Sequence, residues 1–435
     1  MLKTPIARGV ALATLGATLA MPSMVQAAFI EDTKAGLELR NFYMNRDFRD
    51  GPGQNKAEEW AQGFILRVES GFTEGTVGFG VDALGLLGVK LDSGRGRVGT
   101  GILPGAYSAN GNDAAPDDYS ELGLTAKFKV SETVLKVGTL QVKNQAISSS
   151  DSRLLPATFQ GGQIVSKDIQ GLTLDGGYLN RTNMRNSSNN EALSFGGKGA
   201  AGGVGAVVPG ESDSFVFLGG NYKLTNDLTA GYYYSNLEDI YKQHSLNLVH
   251  VLPLGDKQSL KTDLRYARST DDGSASNVDN RALGAMVTYS ISGHSFGLGY
   301  QKMSGDTGFA YVGGATDPFL VNYVQINDFA NADEKSWQAR YDFNFASIGI
   351  PGLTFMTRYL TGDGFDRNVG TSAVPVIASG GKQWERDTDI GYTFQEGALK
   401  NLNVKWRNAT SRNNYSRGTN IDENRLIVSY TIPLM

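Results

Sequence analysis

An all-β fold, a transmembrane antiparallel barrel of about eighteen strands closed on itself, is what three features of this 435-residue sequence predict. The first is alternation. In "SWQARYDFNF" (336–345), Trp337, Ala339, Tyr341, Phe343 and Phe345 hold one set of alternate positions, and Gln338, Arg340, Asp342 and Asn344 the other. Successive strand side chains point to opposite faces, so this segment has one aromatic face and one amide and charged face. The second is the connections, which alternate between tight turns and long polar loops, as short periplasmic turns and long extracellular loops do in outer-membrane barrels. The third is composition. With 55 glycines, 39 Phe plus Tyr residues and 12 prolines, the chain suits many short strands. Beyond its N-terminus it has no run of about 18 uncharged apolar residues, as a membrane helix needs.

The first 27 residues, "MLKTPIARGVALATLGATLAMPSMVQA", read as a secretory signal. Lys3 and Arg8 precede an apolar run, and Val25 and Ala27 sit at the small positions before a cut. Residues 28–435 are expected to form a single barrel domain. The first strands are carried by "GLELRNFY" (36–43), "FILRVESGF" (64–72), a weaker segment at 76–84, "ELGLTAKFKV" (121–130), 133–140 and 158–167. The middle of the wall is expected from "LTLDGGYLNR" (172–181), 214–224, "LTAGYYYSN" (228–236), 241–252, "SLKTDLRYA" (259–267) and 281–291. "HSFGLGYQK" (294–302), the 336–345 stretch, 353–360, 383–394, "LNVKWRNA" (402–409) and "NRLIVSYTI" (424–432) complete it. "TEG" (73–75), "SE" (131–132), "DIQG" (168–171), "TND" (225–227) and "SG" (292–293) are the tight turns. Segments 90–118, 141–157, 182–213, 303–335 and 361–382 are the long loops.

The apolar positions of each strand, such as Leu122, Leu124 and Phe128 or Leu426, Val428 and Tyr430, are assigned to lipid. The complementary positions then carry Glu38, Arg40, Arg67, Lys127, Lys405, Arg407 and Arg425 into the lumen. A dry core could not hold so many ions, so a water-filled interior is expected. Trp60, Trp337 and Trp384 near one end of their strands, and Tyr341, Phe343, Tyr392 and Phe394 near the other, fit two aromatic girdles. With an even strand count and a periplasmic N-terminus, the tryptophans mark the outer rim.

The same residues argue against other classes. The absence of cysteine removes disulfides, thiolate nucleophiles and Cys-based metal sites. Cleavage after Ala27 takes the net charge from −4 to −6, so the balance offers no support for nucleic-acid binding. Three scattered histidines make no metal site, "GKGAAG" (197–202) lacks the strand and helix a dinucleotide site needs, and no nucleophile-elbow motif is present. No cofactor, no metal and no catalytic residue is expected.

Several stretches resemble the OprD-like porin family, the outer-membrane carboxylate channels of Gram-negative bacteria. They are "LRNFYMNRDFRD" (39–50), "EWAQGFILRVESGFTEGTVGFGVDALGLLGVKLDSG" (59–94), "RLLPATFQGG" (153–162), "NLEDIYKQHSLNLVHVLPL" (236–254), "ADEKSWQARYDFNF" (332–345), "IPGLTFMTRY" (350–359) and "RLIVSY" (425–430), spread over nearly the whole mature chain. The resemblance implies a channel, not an enzyme, in which loops 3 and 7 (here 141–157 and 303–335) fold inward to a narrow eyelet and basic residues guide carboxylates. Lumen-facing cations gather where the last strand must meet the first: Lys405 and Arg407, Arg425, Arg40 and, further up the first strand, Arg46. Several weak sites in series conduct better than one strong one, and the planar guanidinium binds carboxylate in two places at once. Arg153 in loop 3 and Arg185 above strand seven carry over from the family by motif. Glu385, Asp387 and Asp389 form an acidic strip beside this ladder, which would favour zwitterions. The expected partners are small carboxylate-bearing solutes (amino acids, small peptides or organic acids), outer-membrane lipids and lipopolysaccharide, with the chain a monomer or weak homotrimer. A general diffusion porin and, more remotely, a barrel enzyme are the rival readings.

Overall fold

The computed structural model describes residues 29–50, 53–105, 114–197, 210–274, 276–368, 376–415 and 420–435; the signal segment lies outside them. The strands are β1 (Lys34–Phe48), β2 (Lys56–Glu69), β3 (Gly78–Ser93), β4 (Asp118–Val130), β5 (Thr133–Leu140), β6 (Thr158–Ser166), β7 (Leu172–Asn183), β8 (Asn190–Glu191), β9 (Phe215–Lys223) and β10 (Leu228–Leu237). They continue as β11 (Tyr241–Gly255), β12 (Gln258–Asp271), β13 (Asp279–Ile291), β14 (His294–Ser304), β15 (Lys335–Asn344), β16 (Leu353–Asn368), β17 (Ile377–Thr393), β18 (Asn403–Asn413) and β19 (Ile421–Pro433). Every strand pairs antiparallel with its sequence neighbour, except that β8 is a two-residue ladder on the end of β7, whose wall partner is β9. β1 pairs β19 from Gly36↔Pro433 to Phe48↔Ile421, so eighteen strands close into a barrel with no free edge.

Each strand expected from the alternation is present. Several are longer than the 9 to 11 residues that cross a bilayer, β17 having 17. The backbone ladder is indifferent to what surrounds it, so pairing continues beyond the hydrocarbon. Ser292 and Gly293, both at positive φ (47° and 89°), make the two-residue hairpin between β13 and β14 whose twist matches its strands.

The outer surface is apolar. Leu122 is 71% exposed, Leu298 70% and Trp337 61%, whereas their strand neighbours Gly123, Gly299 and Gln338 turn toward the lumen. Rings gather at two levels: Tyr300 with Trp337 and Tyr359 with Trp384 on one side, His294, Phe343 and Phe345 on the other. From Trp337 to Phe343 the strand spans roughly 20 Å, within the height of the apolar band of such barrels, and Phe345 follows in a short 3-10 turn rather than in the strand.

The lumen corrects one expectation. It is not water throughout, because the long loops carry their own apolar cores into it. Ile102 and Leu103 of the β3–β4 loop and Leu154 and Leu155 of the β5–β6 loop pack on the lumenal side chains Phe42, Met44, Ile65 and Leu86. A larger cluster joins Val142 and Ile147, Leu193, and Val312 and Ala315 of the β14–β15 loop to β6, β7, β9 and β11. Backbone bridges Ser149↔Thr316 and Phe195↔Val312 knit these loops together. Alternation within strands places Phe42, Met44, Ile65 and Leu86 on the lumen side but cannot report the loop residues that pack on them.

Candidate functional site

Six arginines converge on one cavity of about 320 Å³ within the barrel: Arg46, Arg153, Arg185, Arg358, Arg407 and Arg425. Four come from the wall. Arg46 lies on β1, Arg425 on β19, Arg407 on β18 and Arg358 on β16, and the register pairs Arg407 directly with Arg425. The other two come from loops that reach across the lumen, together with Ser152, Tyr311, Thr316, Tyr323, Gln325 and Asp328.

Carboxylates hold the wall arginines. Buried Glu423 accepts from Arg46 Nε at 2.5 Å and from Arg425 Nε at 2.6 Å. Asp387 accepts from Arg358 Nε at 2.7 Å, and both oxygens of Asp389 accept from Arg407 Nε at 3.0 Å. The loop arginines differ. Arg153 Nε donates to the Thr100 carbonyl at 3.0 Å and Nη1 to the Ser152 carbonyl at 2.9 Å. Arg185 Nη1 donates to the hydroxyls of Ser150 and Ser152 at 3.1 and 3.0 Å. Among the described residues, neither has a carboxylate oxygen within 4.0 Å, so neither is neutralised. Burial, and then the neighbouring charges of Arg425, Arg185 and Arg46, push the Arg153 guanidinium well below the ordinary arginine range. Burial does the same to Arg185 more mildly. An anion entering the cavity relieves both effects.

Five of the seven expected basic residues therefore meet in one place, and two do not. Arg40 ion-pairs with Glu38 at 2.8 Å and Asp151 at 2.7 Å and donates to the Arg153 carbonyl at 3.0 Å, tying loop 3 to the wall. Lys405, more exposed, lies 3.5 Å from Asp389 below the cavity rather than in its lining. The acidic strip is on the expected strand, now β17, but covered. Glu385 Oε1 accepts from the Ile326 backbone N–H at 2.8 Å, and its Oε2 from the Asn327 backbone and amide N–H at 2.9 and 2.7 Å. Asp387 is fully buried and Asp389 nearly so, each spent on an arginine. These carboxylates anchor loop 7 and orient guanidinium groups, and none of the three is in the cavity lining.

Two contributors escaped the sequence reading. Arg358 sits in "MTRY", where the alternation alone places it in the lumen; its segment was among the weaker ones, without a repeated basic pattern to draw attention. Glu423 is one residue beyond the start of the last expected strand, and its value comes from reaching Arg46 across the closure, which only the β1–β19 register reveals.

A closed barrel with an apolar outer face, a polar lumen and a charged cavity inside it is the architecture of an outer-membrane porin. The chain belongs to the OprD family: residues 27–434 match the model for "outer membrane porin, OprD family". Porin D of Pseudomonas aeruginosa is 40% identical over 427 residues, covering 94% of this chain and 92% of that protein. The crystal structure of Pseudomonas aeruginosa OpdQ, 58% identical, superposes with a TM-score of 0.83 over 94% of this chain and all of that one. The structure of Pseudomonas aeruginosa OpdK with vanillate, 38% identical, superposes with a TM-score of 0.82 over 93% of this chain and all of that one.

Proposed function

We propose that this porin is a substrate-selective, passive path for small solutes that carry a carboxylate. The observation that supports the reading is the pair Arg153 and Arg185: one buried and one half-buried guanidinium group in the lumen with no carboxylate partner among the described residues. An uncompensated buried cation is costly, and a channel for neutral solutes has no reason to keep two side by side. Arg46, Arg358, Arg407 and Arg425 supply further steps whose charge is tempered by their own acids, so that a carboxylate is passed on rather than trapped. Glu385, Asp387 and Asp389 are engaged by the protein itself, so the reading rests selectivity on the carboxylate. The relative solved with vanillate, itself a carboxylate, is consistent with this class.

The test is uptake into liposomes of amino acids, dipeptides, aromatic acids and sugar acids, with a neutral sugar as reference. Arg153→Ala and Arg407→Ala are each expected to slow carboxylate uptake by roughly tenfold, the worth of one charge-assisted hydrogen bond, with sugar flux unchanged or higher. If every carboxylate enters both variants as fast as the unmodified channel, the reading is wrong. A general diffusion porin would also conduct benzoate without measurable block of the ionic current.

A further inference from the structure

We infer that Glu59, buried in the β2 wall, is a positioning residue for the Arg153 guanidinium and acts through Thr100 of the β3–β4 loop. The inference rests on the carboxylate reading above. Glu59 is 1% exposed and, among the described residues, has no cation within 4.0 Å. A buried carboxylate without a counter-ion needs strong hydrogen bonds to offset its lost hydration. Thr100 supplies them: its backbone N–H donates to Glu59 Oε2 at 3.0 Å, and its hydroxyl donates to the same oxygen. The hydroxyl in turn accepts from the Ile102 N–H at 3.2 Å, so one carboxylate fixes a turn of backbone. The carbonyl of that same Thr100 accepts Arg153 Nε at 3.0 Å.

The chemistry of this relay suits a solute site. A carboxylate placed directly on Arg153 would orient it and cancel its charge. A carbonyl orients it and leaves the charge for the solute, and the carboxylate one step behind holds the carbonyl still. The loop arrives at this point by packing, Ile102 lying against Leu154 and Leu155, the two residues after Arg153. Tyr119 adds a second tie, its hydroxyl reaching the Ile102 carbonyl at 2.7 Å and the Arg185 carbonyl at 3.3 Å. The β3–β4 loop, with Tyr119 at the start of β4, is thus the support on which both unneutralised arginines rest.

The sign of a mutational effect separates positioning from simple electrostatics. Removing a negative charge beside six arginines should, by Coulomb's law alone, tighten anion binding. Positioning demands the opposite. In planar bilayers, Glu59→Leu, which removes charge and acceptor, is expected to weaken benzoate block by about fivefold, as contacting residues in a network do. Glu59→Gln, which keeps an acceptor for Thr100, is expected to stay within about twofold of the unmodified channel. In an Arg153→Ala background, Glu59→Leu should add nothing further. Thr100→Ala, which removes the hydroxyl that Glu59 grips, is expected to share the direction and serves if the leucine variant does not assemble. Unchanged or tighter block in folded Glu59→Leu, or effects that multiply with Arg153→Ala, would overturn the inference. So would a crystal structure of that variant with Arg153 Nε still on the Thr100 carbonyl, whatever the block shows. If Arg153→Ala itself leaves block unchanged, the carboxylate reading fails instead.

Discussion

At the scale of single residues, the distinction that matters is between an arginine that has its carboxylate and one that does not. Arg340 and Asp342, two apart on β15, bond each other through two contacts of 2.7 Å, and Arg265 pairs with Asp263 at 2.8 Å in the same way. Such pairs line a polar wall and ask nothing of a solute. Arg153 and Arg185 have hydroxyls and carbonyls instead, which set direction without removing charge. Small residues make that possible. A Cβ built on Gly88 of β3 would stand 2.2 Å from Cε1 of Tyr119, the ring that holds the Ile102 and Arg185 carbonyls, because the ring lies in the space a side chain would take. Gly88→Ala is therefore expected to cost about 1–3 kcal/mol, the usual range for forced overpacking, and to loosen benzoate block as the ring is displaced. Urea unfolding followed by gel mobility, with block measured on the same preparation, checks both.

At the scale of elements, the β3–β4 and β14–β15 loops are tied to the wall by buried acids, the first by Glu59. The β14–β15 loop depends on Glu385, whose two oxygens take three N–H groups of Ile326 and Asn327, and on Glu423, which takes Gln325 Nε2 at 2.9 Å. Arg425 completes the tie by donating to the Gln325 carbonyl at 3.2 Å and, across the lumen, to the Ser152 carbonyl at 3.4 Å. Bonds to a buried charge are worth roughly 1.5–3 kcal/mol each. Glu385→Leu is accordingly expected to leave the barrel assembled but to free the loop, giving a noisier and larger open-channel current in planar bilayers, with Glu385→Gln intermediate. A current indistinguishable from that of the unmodified channel would show that the loop is held from elsewhere.

At the scale of the whole molecule, stability comes from closure. Without a single cysteine, the chain is held by eighteen wall strands, each paired on both sides once β19 meets β1. Lipid is the outer solvent, and it penalises charge by depth. Leu298, between the two levels of rings on β14, is the position where this is most exposed to test. Leu298→Arg is expected to lower folding free energy into bilayers by about 2–4 kcal/mol, measured by urea-dependent insertion into liposomes. A loss under half of that would mean that the site lies nearer an interface than the rings indicate.

The sequence by itself determined the barrel. Alternation in segments such as "SWQARYDFNF" assigns each residue to lipid or lumen, and turn chemistry such as Ser292-Gly293 sets the joins, because both are local and repeat along the chain. It also reached five of the arginines in the cavity: Arg46, Arg407 and Arg425 because lumen-facing cations on β1, β18 and β19 must become neighbours when the barrel closes, and Arg153 and Arg185 only through the family resemblance. What only the tertiary structure decided is which charges remain unspent. Arg40 and Arg425 look alike in sequence, yet one ties loop 3 to the wall below and the other lies in the cavity. Glu385, Asp387 and Asp389 form an acidic strip in sequence and loop anchors in space. Glu59 draws no notice in the sequence, and its part is visible only where Thr100 joins it to Arg153. Faces are fixed by a period of two within a strand, whereas the pairing of charges is fixed by loops that cross the lumen between residues far apart in the chain, and no local pattern encodes that.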